Sequence, residues 1–239
     1  MTDVSAQAEQ IDAALRRHRN PERAAQEKRY LKSDLDHYGV PVPVIRTVVK
    51  QVTGRLALGH DPVTALATAL WAEPVHERRM AAVELLERRV DVLTRADLDL
   101  IEQFLRQARG WALVDNLAAK VVGPLFERDE AVGDLLDEWA VDPDFWLRRS
   151  ALLAQLVALR QGRGDFDRFA RYADAMLDEK EFFLRKAIGW VLRDTGKLRP
   201  ELVSEWLLRR ASRASGVTLR EAAKYLPAEQ RAAILAARG

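Results

Sequence analysis

Five stretches of this 239-residue chain repeat one theme at a spacing near 35 residues. They are Glu77-Arg78-Arg79-Met80-Ala81, Ala112-Leu113-Val114-Asp115-Asn116, Leu147-Arg148-Arg149-Ser150-Ala151, Leu184-Arg185-Lys186-Ala187-Ile188 and Leu219-Arg220-Glu221-Ala222-Ala223, at offsets of 35, 35, 37 and 35 residues. A period of this length, with helical patterning and no strand-like alternation, is the mark of stacked helix pairs. One such pair cannot bury its apolar face alone, and stacking buries it against neighbours. The predicted fold class is therefore all-α, a superhelical solenoid of stacked HEAT-like helix pairs forming a single repeat domain over residues 1–239. Two members break the theme. Its fourth place is small or apolar in Met80, Ser150, Ala187 and Ala222, but acidic in Asp115. Six places in, where other units have Val83, Ala118, Leu153 and Tyr225, stands Trp190.

Helix starts and stops fit that reading. Ile11, Ala14 and Leu15 predict a first amphipathic helix, closed at Asn20-Pro21, a good cap and first residue for the next. Tyr38-Gly39-Val40-Pro41-Val42-Pro43 reads as a turn, and Val44, Val48, Val49 and Val52 as a helical stripe. Further starts fall at Asp61-Pro62, Thr94, Asp142-Pro143 and Arg199-Pro200, with a break at Gly162-Arg163-Gly164. About a dozen short helices are expected.

Composition narrows the chemistry. With no cysteine there is no disulfide, thiol nucleophile or cysteine metal site. His18, His37, His60 and His76 show no ligand spacing, and neither a phosphate loop nor a serine-nucleophile elbow is present. No metal or other cofactor is expected. The Met1-Thr2-Asp3-Val4-Ser5 start lacks a signal pattern, and no apolar run approaches the roughly 20 residues of a membrane span. A cytoplasmic monomer is the expectation. The net charge of +2 hides a pattern of +3 over residues 1–60, −8 over 61–143, +4 over 144–199 and +3 over 200–239. Such a chain suits an anion held against selected surfaces. Solvated outer faces of helices give the same pattern.

Trp111 and Asp115, four residues apart, share one helix face. One unit later come Trp146, Arg148 and Arg149, and one unit further Phe183, Lys186 and Trp190. In parallel-stacked units, equivalent places lie side by side, so Asp115, Arg149 and Trp190 are expected on one strip of the inner face. Trp146 and Phe183 read as core. Trp190 reads either as a site indole or as a core one, and the preceding Gly189 lets another group come close to the backbone. An unpaired carboxylate is costly to bury. Asp115 therefore calls for a function or for a structural bridge to Arg149.

At these residues the chain resembles a known family. Trp111-x-x-x-Asp115, Trp146-Leu147-x-Arg149, the run from Phe182 to Arg193, and Tyr30-x-Lys32 followed by Gly39-Val40-Pro41 are similar to the DNA alkylation repair family, the AlkD-like glycosylases built from HEAT-like repeats. The resemblance spans roughly residues 20–226. It implies a superhelical cleft for double-stranded DNA. It also implies excision of cationic N3- and N7-alkylated purines without metal or cofactor. By motif, Trp111, Asp115 and Trp190 fall on its catalytic positions and Arg149 on its DNA-contacting arginine. Arg148, Lys186, Tyr30 and Lys32 are further candidate DNA contacts. The chain departs from the family at Gly110, where members carry a bulky residue, which points to a roomier cleft. Competing readings are a glycosylase for a bulky minor-groove adduct, a non-catalytic DNA-binding repeat and a protein-interaction solenoid.

Overall fold

The computed structural model describes residues 4–54, 56 and 58–239, and Met1-Thr2-Asp3 of the polar start lies outside them. The described residues are helical, with one isolated β-bridge, Asp36 to Val75, and no strand. The chain clusters into two compact units, Met1–Leu117 and Ala118–Gly239.

The first unit contains α1 (Val4–Arg17), α2 (Pro21–Leu31), α3 (Val42–Thr53), α4 (His60–Trp71), α5 (His76–Arg88), α6 (Leu98–Ala108) and α7 (Trp111–Leu117). The second opens on a π-helical turn, Ala118–Val122. Then come α8 (Gly123–Arg128), α9 (Val132–Trp139), α10 (Phe145–Leu153), α11 (Leu156–Arg160), α12 (Phe166–Ala175), α13 (Phe182–Thr195), α14 (Pro200–Leu208), α15 (Gly216–Ala222) and α16 (Ala228–Ala236). The helices are more numerous and shorter than the dozen expected. The step from Leu153 to Leu156 carries no proline or glycine to announce it, whereas the π turn runs straight into Gly123-Pro124, where the missing proline N–H interrupts the helical ladder.

The repeated theme marks the second helix of each pair: α5 after α4, α7 after α6, α10 after α9, α13 after α12 and α15 after α14. Within the first unit α5 packs on α7, and within the second α10 packs on α13 and α13 on α15. Leu147, Leu184 and Leu219, each first in its theme, are buried. Full burial of a leucine side chain stabilises by about 1.5–3 kcal/mol, so one such residue per unit rewards each added layer.

Local chemistry sets the helix ends. Asn20 caps α2, its side chain accepting from the Arg23 N–H at 3.0 Å, with Pro21 first in the helix. The helix expected at Asp142-Pro143 begins later, at Phe145. Asp144 is the cap, accepting from the Trp146 N–H at 2.9 Å, while Asp142 accepts from the Asp144 N–H at 2.7 Å. An acidic residue two places upstream thus shapes the turn rather than starting the helix. On α3 the buried face centres on Ile45, Val48 and Val49, and Val44 and Val52 lie at its edges.

Two glycines carry close approaches. Gly39 has φ of 78°, and a Cβ there would lie 2.2 Å from the Asn20 carbonyl oxygen. The turn it makes is tied down by Glu77, whose buried carboxylate accepts from the N–H groups of Tyr38, Gly39 and Val40 at 2.9, 2.6 and 3.1 Å. At Gly189 a Cβ would lie 2.7 Å from the Glu221 Cβ. The group that comes close to this backbone is therefore α15, and Gly189 serves packing.

Candidate active site

In the first unit, Trp111 opens α7 and is half-buried. The Tyr30 ring, 73% exposed near the end of α2, meets it edge-on with centroids 5.8 Å apart. Lys32 follows in the left-handed conformation that ends α2, with φ of 49° and an exposed side chain. Two distant parts of the sequence, the end of α2 with Tyr30 and the start of α7 with Trp111, thus meet. Asp115 lies one turn after Trp111 and is 8% exposed. Its repeat equivalents Met80, Ser150, Ala187 and Ala222 are buried as well. The fourth place of the theme is therefore a buried place, and only this unit puts a carboxylate in it. The π turn begins three residues later, at Ala118. Single π turns inserted in helices occur often at functional sites.

Trp111 and Gly110 also line a cavity of about 10 Å³, with His76 among its walls. That is room for about one water. A Cβ on Gly110 would meet only the Ala108 carbonyl oxygen, at 3.6 Å, so the backbone does not require glycine there. Burial, with the stacked His37 ring at 4.6 Å, pushes the His76 pKa down to about 3. His76 is thus neutral near pH 7 and offers no ready proton beside Trp111.

In the second unit, α10 carries Arg148 and Arg149, and α13 carries Lys186 and Trp190. Arg149 is 2% exposed. Its Nη1 donates to the Phe183 carbonyl oxygen, and its guanidinium carbon lies 5.7 Å from the Phe183 ring centroid. Any phosphate contact by Arg149 has to be made from a guanidinium that is already buried. Arg148 turns back onto its own loop, donating to the carbonyls of Asp142 at 2.5 Å and Pro143 at 3.1 Å. It also pairs with Glu179 at 3.5 Å. Lys186 is exposed and sits 5.9 Å from the Phe182 ring centroid. Trp146 and Phe183, expected in the core, are half-buried and meet at a tilt of 41° with centroids 5.0 Å apart. They form a surface aromatic cluster with Phe145 rather than an interior one.

Trp190 is half-buried and not a core indole. Its Nε1 donates to Asp194 Oδ2 at 3.2 Å. Asp194 is 3% exposed and collects cations: Arg160 at 2.6 Å, Lys197 at 3.0 Å and Arg193 at 3.4 Å. Burial alone would raise the Asp194 pKa, but the hydrogen bond from Lys197 and the charge of Arg160 outweigh it and hold it below the usual carboxylate value. Sequence reasoning passed over Asp194, although Trp190-x-x-x-Asp194 repeats the spacing of Trp111-x-x-x-Asp115. It also passed over Glu77, for which no spacing signal exists, because its partners are peptide N–H groups nearly 40 residues away.

Among the described residues, Glu27, His37 and Glu77 bring ligand atoms within 4.8 Å of one another. Histidine spacing in the sequence did not reveal this group. The Glu77 carboxylate is filled by three peptide N–H groups and Glu27 is held by Arg23 at 2.5 Å, so both acids are already engaged. No helix among the described residues is long and apolar enough to cross a membrane.

Comparison with known proteins bears on the chain as a whole. Among solved structures the chain is similar to a predicted DNA alkylation repair enzyme from Enterococcus faecalis, with 25% identity, TM-score 0.79, and coverage of 88% of this chain and 98% of that one. It shares its fold with AlkD2 from Streptococcus mutans, at 18% identity and TM-score 0.61, covering 87% and 99% of the two chains. It does so too with smu.31 from Streptococcus mutans UA159, at 17% identity and TM-score 0.60, covering 86% and 98%. No curated protein sequence matches the chain. The family model for DNA alkylation repair enzymes matches residues 11–226, and the chain belongs to that family.

Proposed function

We propose that this protein is a DNA glycosylase that hydrolyses the N-glycosidic bond of cationic N3- and N7-alkylated purines in double-stranded DNA. The observation that carries the reading is Asp115, a buried carboxylate at a repeat place otherwise given to small or apolar residues, one turn from the half-buried Trp111.

The chemistry follows from the substrate. Alkylation at N3 or N7 puts a positive charge on the purine, so the base leaves with the glycosidic electron pair as a neutral molecule. Positive charge then develops on the deoxyribose. The Asp115 carboxylate stabilises that oxocarbenium-like sugar and aligns water, on the pattern of carboxylates in glycoside hydrolysis. Water adds its hydroxyl to C1′ and its remaining proton goes to solvent. No general acid is needed for such a leaving group, which agrees with a neutral His76 in the cavity beside Trp111. An indole face attracts a cationic base or an electron-poor sugar by about 0.5–2 kcal/mol, the role proposed for Trp111 beside Asp115 and, within the second unit, for Trp190. Tyr30 steadies Trp111 edge-on. The exposed Lys32 and Lys186 contact phosphate, while Arg149 and Arg148 hold the chain around the starts of α13 and α10 and meet DNA with what remains accessible.

Gly110 supports a second reading, in which the lesion is bulkier than a methyl group. The backbone there would accept a side chain, so its absence leaves space beside Trp111. The deciding experiment incubates the purified protein with methylated duplex DNA, and in parallel with duplex carrying a large minor-groove adduct, in chelator. Release of methylated purine with formation of abasic sites is the expected result. Release from the bulky substrate alone selects the second reading, and release from neither removes the glycosylase assignment.

A further inference from the structure

Tyr225 occupies in the last repeat the place that Trp190 occupies in the one before, six residues into the theme. Val83, Ala118 and Leu153, at the same place in the earlier units, are buried, whereas Trp190 is half-buried and Tyr225 is 52% exposed. Tyr225 ends a short 3-10 turn, Ala223–Tyr225, that follows α15 directly. Two lysines gather on its ring: Lys197 Nζ lies 5.1 Å from the centroid and Lys224 Nζ 5.4 Å. Lys197 also binds Asp194, which holds Arg160 and the Trp190 indole N–H. A continuous track thus runs from Trp190 through Asp194 and Lys197 to Tyr225 and Lys224.

Its charge does not balance. Arg193 is matched by Glu221 at 2.6 Å, which leaves Arg160, Lys197 and Lys224 against the one carboxylate of Asp194. Lys224 has no carboxylate partner among the described residues. The side chains of Arg160 and Lys197 stay 43% and 45% exposed while they bind Asp194, so each keeps donors for something outside. A structural ion pair needs one cation. Like charges brought together on an exposed aromatic ring repel, and a polyanion relieves that repulsion. Cation–π contact with Tyr225 also fixes the two ammonium groups before binding, which lowers the ordering cost of a phosphate contact.

We infer that Lys197, Lys224 and Arg160, organised by Tyr225 and Asp194, form a phosphate-binding edge that grips the backbone of duplex DNA beside Trp190. This rests on the reading of DNA as the substrate and adds which surface of the second unit holds the strand. The edge binds without regard to sequence or damage.

The test measures binding of undamaged duplex DNA by the full chain across a salt series, with single-turnover base release measured separately. Each lost phosphate contact lowers the slope of log K against log salt by about 0.9, which at 0.1 M salt is roughly eightfold in affinity. Lys224→Ala should show one such loss and the Lys197→Ala, Lys224→Ala double variant two. Tyr225→Phe keeps the ring and should bind like wild type, whereas Tyr225→Ala should weaken binding. Lys224 is exposed and outside the packing, so its single variant stays interpretable if the double variant is less stable. Affinity and slope unchanged in Lys224→Ala and in a folded double variant overturn the edge while leaving base release standing. No base release by the wild-type protein, with these binding effects present, removes the glycosylase reading and leaves the edge.

Discussion

The two Trp-x-x-x-Asp pairs have the same spacing on the same kind of helix but stand at different places of the repeat. In α13 the Trp190 indole donates to Asp194, and that carboxylate is also held by Arg160 and Lys197. Its charge is accounted for by groups that remain partly in solvent. In α7 the Asp115 carboxylate sits at a place where the repeat elsewhere buries Met80, Ser150, Ala187 and Ala222. Glu77 supplies a third case, a buried carboxylate consumed wholly by peptide N–H groups. Burial alone therefore does not separate a structural acid from a chemical one. Glu77 is matched by backbone and Asp194 by surface cations and an indole, and Asp115 is singled out by its place in the repeat, where the other units bury small or apolar residues.

The largest effect on stability should come at Glu77. Glu77→Ala strands three buried N–H groups, each worth about 1–3 kcal/mol when unsatisfied, so the loss should be at least about 3 kcal/mol by denaturant unfolding. A loss below about 1 kcal/mol would mean the turn at Gly39 is held by other contacts. Asp194→Ala should cost less, about 1–3 kcal/mol, because the cations it abandons can return to water. The acid limb of stability should change with it. The folded Asp194 pKa is below its unfolded value near 3.8, so its contribution is present above that value and is lost as pH falls through the lowered folded pKa. Unfolding followed between pH 7 and pH 3 should therefore show a shallower acid decline in Asp194→Ala than in wild type. An identical decline would show that folding does not lower the Asp194 pKa.

The smallest effect sharpens the pairing itself. Trp190→Phe removes the indole N–H and should cost about 1 kcal/mol. Combined with Asp194→Ala it should cost less than the two single losses together, because both variants break the same hydrogen bond. Full additivity would mean that the 3.2 Å contact contributes nothing.

The fold was more legible than the site. A 35-residue period places every theme on the second helix of a pair, because burying one face of each layer forces the same residues to recur. The turn at Gly39 and the cap at Asn20 were legible because glycine, proline and asparagine act locally. The π turn after Leu117 and the late start of α10 lie beside Pro124 and Pro143, which mark a break without fixing where the helix resumes, since at α10 one acid caps and another shapes the turn. For the candidate site, residue types and spacing proposed Trp111, Asp115 and Trp190, and the structure puts Tyr30 against Trp111. Spacing did not show that Arg149 is buried against Phe183 or that Arg148 folds back on its own loop. An arginine reads the same in sequence whether it faces phosphate or a carbonyl. Asp194 was legible in principle, since it repeats the Trp111–Asp115 spacing, but Arg160 reaches it from one repeat away.

The most direct test compares single-turnover release of N7-methylguanine from duplex DNA by wild type, Asp115→Asn and Asp194→Asn, at saturating protein and at a temperature where all three are folded. Loss of a preorganised electrostatic group in the transition state costs about 2.7–4 kcal/mol, or 100- to 1,000-fold in rate. Asp115→Asn should show that loss with DNA binding unchanged, and Asp194→Asn should lose less than about tenfold. Release by Asp115→Asn within threefold of wild type would contradict the account, and so would a larger loss in Asp194→Asn than in Asp115→Asn.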